Sequence, residues 1–293
     1  MTPRVKRAAV DVVVPFAGDE SELRDLLRRL ARLDLAGDDT VTVVDNRPPG
    51  AAPVDHPWVL SAPEHQSSYF ARNRGAGRGD AEWLLFIDAD VEPPPGLIDA
   101  YFAEPPDERD GVLAGAVVDE PLDLNGRHPL AARYAMLRGS MSQANTLSGG
   151  ERPYAQTANC AVRRAPFDAV GGFRDGIRSG GDADLCFRVA DAGWRIASSP
   201  QAAVVHRSRR TLRKMLRQRA RHGSGAAWLA RNHPGTFGRG TSWLGLAKWT
   251  VQSEARAGVA LVHGRRDDAL VAFVDPLSEW AFQLGRRFPN EVE

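Results

Sequence analysis

Three short apolar runs constrain this chain more than any other feature. They are Asp11-Val-Val-Val-Pro15, Thr40-Val-Thr-Val-Val-Asp-Asn46 and Glu82-Trp-Leu-Leu-Phe-Ile87, the last followed at once by Asp88-Ala-Asp90. Runs of this length without polar alternation predict strands buried on both faces. Between the first two, Leu23, Leu26, Leu27, Leu30 and Leu33 recur at three- and four-residue spacing and predict an amphipathic helix over 20–33. An extended piece at Trp58-Val-Leu60 and a helix from Ser67 to Arg78 precede the third run. Strands alternating with helices in this order predict an α/β fold built on a mostly parallel sheet flanked by helices. With 43% apolar residues in 293, the chain can fill such a core, which excludes a disordered tail protein.

Past Pro93-Pro-Pro95 the pattern predicts a short helix from Leu97 to Phe102 and a strand near Val112 to Val118. A further helix over 182–192 is bracketed by Ser179-Gly-Gly181 and Gly193. Charge then divides the chain. Residues 1–206 hold 22 basic and 30 acidic residues, whereas 207–293 hold 16 basic and 7 acidic. Two domains are expected, 1–206 and a basic, mainly helical C-terminal extension, 207–293. The net charge of +1 gives no case for a nucleic-acid partner. Cys160 and Cys186 have no partner at zinc-ligand or disulfide-framework spacing, which suits a reducing compartment. The apolar segment ending at Pro15 is too short for a secretory signal, and no stretch is long and apolar enough to span a membrane. A cytoplasmic location is expected, with peripheral contact at the inner face of the membrane left open.

The acidic strand end is the sharpest chemical signal. Two carboxylates at alternate positions repel unless a cation or water lies between them, and hard divalent ions are held by such oxygens. Asp88 and Asp90 are therefore candidate metal ligands, against the alternative of a solvated acidic turn. Asp45-Asn46 at the end of the second strand could hydrogen-bond a nucleobase edge or close an Asx turn. Ala71-Arg-Asn-Arg-Gly75 could meet a diphosphate with Arg72 or form a solvated helix face. In Gly180-Gly-Asp-Ala-Asp-Leu185, Asp182 and Asp184 fall at a helix N-terminus, one available as a general base and the other as a cap or an ion-pair partner of Arg188. His206 follows Ala203-Val-Val205 at the end of an apolar segment, a packed histidine or, beside a metal, a ligand.

In this order the segments resemble glycosyltransferase family 2, nucleotide-sugar-dependent enzymes of the GT-A fold, over roughly residues 10–206. The resemblance rests on Val12-Val-Val-Pro15, Val43-Val-Asp-Asn46, Ala71-Arg-Asn-Arg-Gly75, Phe86-Ile-Asp-Ala-Asp90, Val170-Gly-Gly-Phe173, Gly181-Asp-Ala-Asp-Leu185 with Arg188, Ala192-Gly-Trp194 and Val204-Val-His206. It implies that Pro15, Phe16 and Ala17, with Asp45 and Arg72, hold the nucleotide. Asp88 would lie near ribose and metal, Asp90 would be the principal ligand of Mg²⁺ or Mn²⁺ with His206 beside it, and Asp182 would be the catalytic base. The implied reaction is transfer of a sugar, with inversion, from a UDP-, GDP- or TDP-linked donor to the hydroxyl of an acceptor glycan, lipid-linked or small. The sequence departs from the family where many members carry Glu-Asp and this chain has Gly181-Asp182, which alters the acceptor side. It departs again at Asp45-Asn-Arg-Pro-Pro, which leaves the base open.

Two other readings compete. A degenerate nucleotide-sugar-binding scaffold is opposed by Asp88, Asp90 and Asp182 standing together, and is kept open by Gly181. A sugar-phosphate nucleotidyltransferase would need a Gly-rich phosphate loop after the first strand, where Phe16-Ala-Gly-Asp19 stands instead. In the extension, Leu212, Met215, Leu216 and Ala220 form one stripe of a basic helix, suited to an anionic membrane or to docking on the acidic domain.

Overall fold

β1 (Val10–Phe16) leaves the sheet at a capping box that starts α1 (Glu20–Leu30): the Asp19 carboxylate accepts from the Glu22 amide at 2.9 Å, and the Glu22 carboxylate accepts from the Asp19 amide at 2.9 Å. The computed structural model describes residues 7–120, 129–148, 152–207, 211–238 and 240–292. Leu23, Leu26, Leu27 and Leu30 are buried as their spacing requires. β2 (Thr40–Asp45), β3 (Val59–Ser61), α2 (Ser68–Ala76) and β4 (Trp83–Ile87) follow, with all five β4 residues buried. Then come β5 (Val91–Glu92), α3 (Leu97–Tyr101), β6 (Asp110–Asp119), α4 (Leu130–Leu137), α5 (Gln143–Ser148) and β7 (Asn159–Arg163). The chain continues through α6 (Arg164–Ala169), α7 (Gly181–Asp191), β8 (Arg195–His206), α8 (Leu212–Asn232), α9 (Trp243–Val262) and α10 (Arg266–Gly285).

The eight strands form one sheet in the order β3-β2-β1-β4-β7-β6-β8-β5. β1 pairs in parallel with both β2 and β4, and β2 with β3, so Phe16, Asp45 and Ile87 finish at the same edge. The parallel arrangement stops at β4. β7 runs antiparallel to β4 and β6, and β5 antiparallel to β8, so the sheet is mixed. The sequence signal for β7 was absent because Asn-Cys-Ala-Val-Arg is five residues long and polar at both ends.

The chain divides into two compact units. One comprises Met1–Val118, Ser142–His206 and Glu291–Glu293 and carries the sheet; the other comprises Asp119–Met141 and Arg207–Asn290. The second unit thus takes in a segment from the middle of the chain. Its own core gathers Ala131 and Tyr134 of α4, Met215 of α8 and Val274 of α10, with Leu212, Leu216, Leu270 and Val271 packed around them. The apolar stripe of α8 is therefore covered by α4 and α10 rather than offered to lipid. Among the described residues no helix is long and apolar enough to cross a membrane.

Trp83 anchors the sheet. Its ring, 1% exposed, meets Phe102 edge-on at 5.6 Å and carries the Arg163 guanidinium 4.5 Å from its centroid. Trp83→Ala is expected to destabilise the protein by about 3–5 kcal/mol, the usual range for emptying a buried indole site. Urea unfolding followed by circular dichroism measures it; a loss below ~1 kcal/mol would mean that the sheet does not depend on this contact.

Candidate functional site

The parallel strands bring the sequence-predicted residues to one edge of the sheet unit. Pro15, Phe16 and Ala17 close β1, Asp45 closes β2, and Asp88 and Asp90 flank the turn after β4. β5 then pairs with β8 so that Val91 faces His206, which sets the histidine beside the acidic turn. His206 Nε2 lies 3.6 Å from Asp90 Oδ2; the imidazole is 5% exposed and the carboxylate 45%.

Asp88 is held differently. Arg72, buried on α2, donates from Nη2 to Asp88 Oδ1 at 2.5 Å. The same guanidinium lies 5.7 Å from the Tyr69 ring centroid and 5.9 Å from that of Phe173, two rings stacked at 5.6 Å. Burial raises the Asp88 carboxyl above its ordinary value; Arg72 opposes the rise and Asp90 adds to it. Asp45 is also engaged, accepting from Arg47 Nε at 2.8 Å and Nη2 at 2.7 Å, a bidentate pair buried on both sides. A nucleobase edge reaching Asp45 would share that carboxylate with Arg47. Asn46 is turned away, donating to the carbonyls of Ala62 and His65.

α7 presents the second carboxylate group. Gly180 precedes the helix at φ +85°, a left-handed conformation that an L side chain rarely adopts. A Cβ on Gly181 would stand 2.7 Å from the Tyr69 ring. The space of the side chain that many relatives carry there is thus filled by an aromatic ring. Asp182 lies in the first turn of α7 and accepts from the adjacent Ala183 amide at 3.0 Å. Burial raises its carboxyl, against the lowering effects of that amide and of Arg72. Asp184 points into the protein with 0% exposure and accepts from Arg188 Nε at 2.9 Å and Nη2 at 2.7 Å, and from Arg174 Nε at 3.2 Å. The two acids of one motif therefore have different tasks, one at the crevice and one in an internal ion pair.

Three positions escaped sequence reasoning. Arg29, next to the apolar stripe of α1, donates from Nη2 to the Ala89 carbonyl at 2.8 Å and from Nη1 to that of Val91, gripping the backbone on both sides of Asp90. Asn159, fully buried on β7, donates to the carbonyls of Ala116 and Ala202 and accepts from the Tyr101 hydroxyl at 2.8 Å, tying β7 to β6, β8 and α3 behind the acidic turn. Tyr69 is the third. A buried Arg, Asn or Tyr carries no sequence signal beyond its residue type.

As a metal centre the edge is open rather than closed. Among the described residues no group of three His, Cys, Asp or Glu gathers around a common point. A carboxylate and an imidazole at the Asp90–His206 spacing suit an ion that takes its other ligands from phosphate oxygens and water, as Mg²⁺ and Mn²⁺ sites commonly do.

Comparison with known proteins shows the family and the fold. A model described as glycosyltransferase like family 2 matches residues 7–225. The chain is 31% identical over 238 residues to the pre-mycofactocin glycosyltransferase of Mycobacterium tuberculosis, covering 77% of this chain and 48% of that one. It is 28% identical over 172 residues to glycosyltransferase AglE of Haloferax volcanii, covering 58% and 54%. It thus spans about half the length of the curated relatives it matches. Among solved structures, the mannosyltransferase PcManGT of Pyrobaculum calidifontis, in complex with GDP-Man and Mn²⁺, superposes with a TM-score of 0.62 at 18% identity over 96% of this chain and 88% of that one. The fold is GT-A.

The divergent roles of Asp182 and Asp184 predict opposite stability effects. Asp184→Ala strands the buried Arg188 and should cost about 3–5 kcal/mol. Asp182 has a raised folded-state pKa, so its ionised form weakens the fold at neutral pH, and the proton-linked stability it confers is present at low pH and lost as pH rises through that pKa. Asp182→Asn should therefore melt at or above the wild-type temperature at neutral pH, with the gap closing on acidification. Equal destabilisation by both substitutions in thermal melts would contradict the division.

Proposed function

The chain belongs to glycosyltransferase family 2, and from that premise we propose that it transfers a sugar from a nucleoside-diphosphate donor to an acceptor hydroxyl, with inversion, at the acidic edge of its sheet. The observation that supports this most is the placing of Asp88 and Asp90 at the strand edge beside His206, with a half-buried Asp182 whose carboxyl is raised by burial and interacts electrostatically with Asp88 and Arg72. The main chain of Pro15, Phe16 and Ala17 and the side chains of Asp45 and Arg72 receive the nucleotide, with Asp88 on the ribose and metal side. Asp90 and His206 hold Mg²⁺ or Mn²⁺, a choice supported by the Mn²⁺ and GDP-Man that accompany PcManGT. When bound, the ion supplies Lewis-acid stabilisation to the departing diphosphate.

Asp182 takes the proton of the attacking hydroxyl. A raised carboxyl pKa makes the carboxylate a stronger base than a solvated one. Tyr69, buried against Gly181 and stacked on Phe173, fills the space beside Asp182 and so limits the acceptor side. The acceptor is a glycan, lipid-linked or small. Two buried, unpaired thiols, Cys160 and Cys186, favour the reducing cytoplasm as the place of reaction. The binding-scaffold alternative retains the nucleotide contacts and lacks turnover.

Donor consumption assayed with UDP-, GDP- and TDP-sugars tests the reading. Asp182→Asn should lower kcat by ~10²- to 10⁴-fold with donor affinity near wild type. The acid limb of the kcat–pH profile should lie above the ordinary carboxylate range and vanish in that variant. Wild-type binding of donor without turnover of any acceptor class would favour the scaffold; full activity in Asp182→Asn would remove the base. Asp90→Ala is expected to abolish the dependence of nucleotide affinity on Mn²⁺, and an unchanged dependence would remove the metal assignment.

A further inference from the structure

α9 carries apolar residues on its outward as well as its inward side, unlike an ordinary surface helix. Its inward side buries Leu246, Ser253, Ala257 and Ala260. Its outward side carries Leu244, Val251, Ala255, Gly258 and Val262, which at 100° per residue fall within about 40° of one line along the helix. Leu244 is 83% exposed, Val251 70% and Val262 86%, with Val259 and Leu261 also exposed nearby. The only charged residue on this line is Lys248, and the face extends for about 30 Å. Scattered exposed apolar residues need no explanation, but a continuous apolar helix face does.

We propose that this face of α9 lies in the surface of an anionic membrane, parallel to the plane of the bilayer. The charges around it select lipid. From Trp243 to Asp268 there are four basic residues, Lys248, Arg256, Arg265 and Arg266, and three acidic ones, Glu254, Asp267 and Asp268, the last paired with Arg265 at 3.4 Å, so the local balance is only slightly positive and the charge of the whole helical unit supplies most of the attraction. The Arg256 guanidinium bonds to the Gln252 carbonyl and the Ser253 hydroxyl and, among the described residues, meets no carboxylate. Lys248, with a long aliphatic stem, can bury that stem in the acyl boundary while its ammonium reaches phosphate. The helical unit as a whole, Asp119–Met141 and Arg207–Asn290, contains 19 basic and 8 acidic residues. That charge repels a second copy and attracts anionic headgroups, each exposed Lys or Arg adding to the attraction. The outward row Arg213, Arg217 and Arg221 of α8 contributes to the same field, while its apolar stripe is already spent on α4 and α10.

The face is independent of the nucleotide site, so its test and that of the glycosyltransferase reading fail separately. The full chain is sedimented with phosphatidylcholine vesicles, with and without phosphatidylglycerol, at low and high salt. Binding is expected with phosphatidylglycerol and should weaken with salt as the charges are screened. The triple variant Leu244→Ser, Val251→Ser, Val262→Ser removes only exposed side chains and should lower vesicle partitioning by more than about tenfold, with melting temperature and nucleotide affinity unchanged. As a second readout, Val251→Cys labelled with an environment-sensitive fluorophore should shift to the blue on anionic vesicles; the native thiols are buried. Absence of wild-type binding at low salt would overturn the proposal. So would equal binding by the triple variant with no spectral shift, or a wild-type dimer that this variant disperses without any vesicle binding.

Discussion

Two carboxylates two residues apart at the mouth of a dry strand repel one another, and the rest of the site is arranged around that repulsion. β4 is buried throughout, and Asp88 and Asp90 leave the core together at its end, where burial and the neighbouring Asp90 both raise the Asp88 carboxyl. Each is handled differently. Arg72, itself inside the protein, takes Asp88; the antiparallel pairing of β5 with β8 delivers His206 to Asp90; and Arg29 grips the peptide carbonyls on either side of Asp90. On the proposed reading, a cation at Asp90 would relieve the remaining charge and bring a diphosphate to the same turn. Asp182, at the start of α7, carries a carboxyl raised by the same exclusion of water.

The part of this arrangement that the sequence made legible is the part encoded by continuous apolar runs and by helical spacing. β1, β2 and β4 consist of consecutive buried residues, and the five leucines of 23–33 admit little besides an amphipathic helix. Asp88, Asp90 and Asp182 stood out because acids immediately after such elements have to be accounted for. β7 was hidden by its brevity, and the antiparallel half of the sheet with it. Arg47 could be read only as part of a loop, although it determines how Asp45 is presented. The contacts of Arg29, Asn159 and Tyr69 are made with partners 43 to 112 positions away and have no local signature. Gly181 read as a lost interaction; its neighbour in space shows that the volume is occupied by a ring.

In the basic C-terminal region, the strongest charge and the exposed apolar face fall on different helices. α8 has the composition of a lipid-binding helix, yet Met215 is buried against Tyr134 and Val274, and Leu212 and Leu216 pack beside it. Hydrophobic periodicity states that a helix has an apolar face and says nothing about what covers it. α9 has a weaker polar contrast and a longer uncovered apolar face, because its buried side is built from small residues that let helices approach closely. Which of two amphipathic helices remains available to an outside partner is settled only when both have packed.

The central claim is that the acidic edge binds a nucleoside diphosphate through a divalent ion. The most direct measurement is the melting temperature of the wild-type chain with UDP, GDP and TDP, each with and without Mn²⁺. Ligand that binds only the folded state stabilises it by mass action, by about 2.7 kcal/mol at a hundred times the dissociation constant. The account predicts that one base raises the melting temperature strongly with Mn²⁺ and little without it. A shift of equal size with and without the ion, or none with any of the three nucleotides, would contradict it.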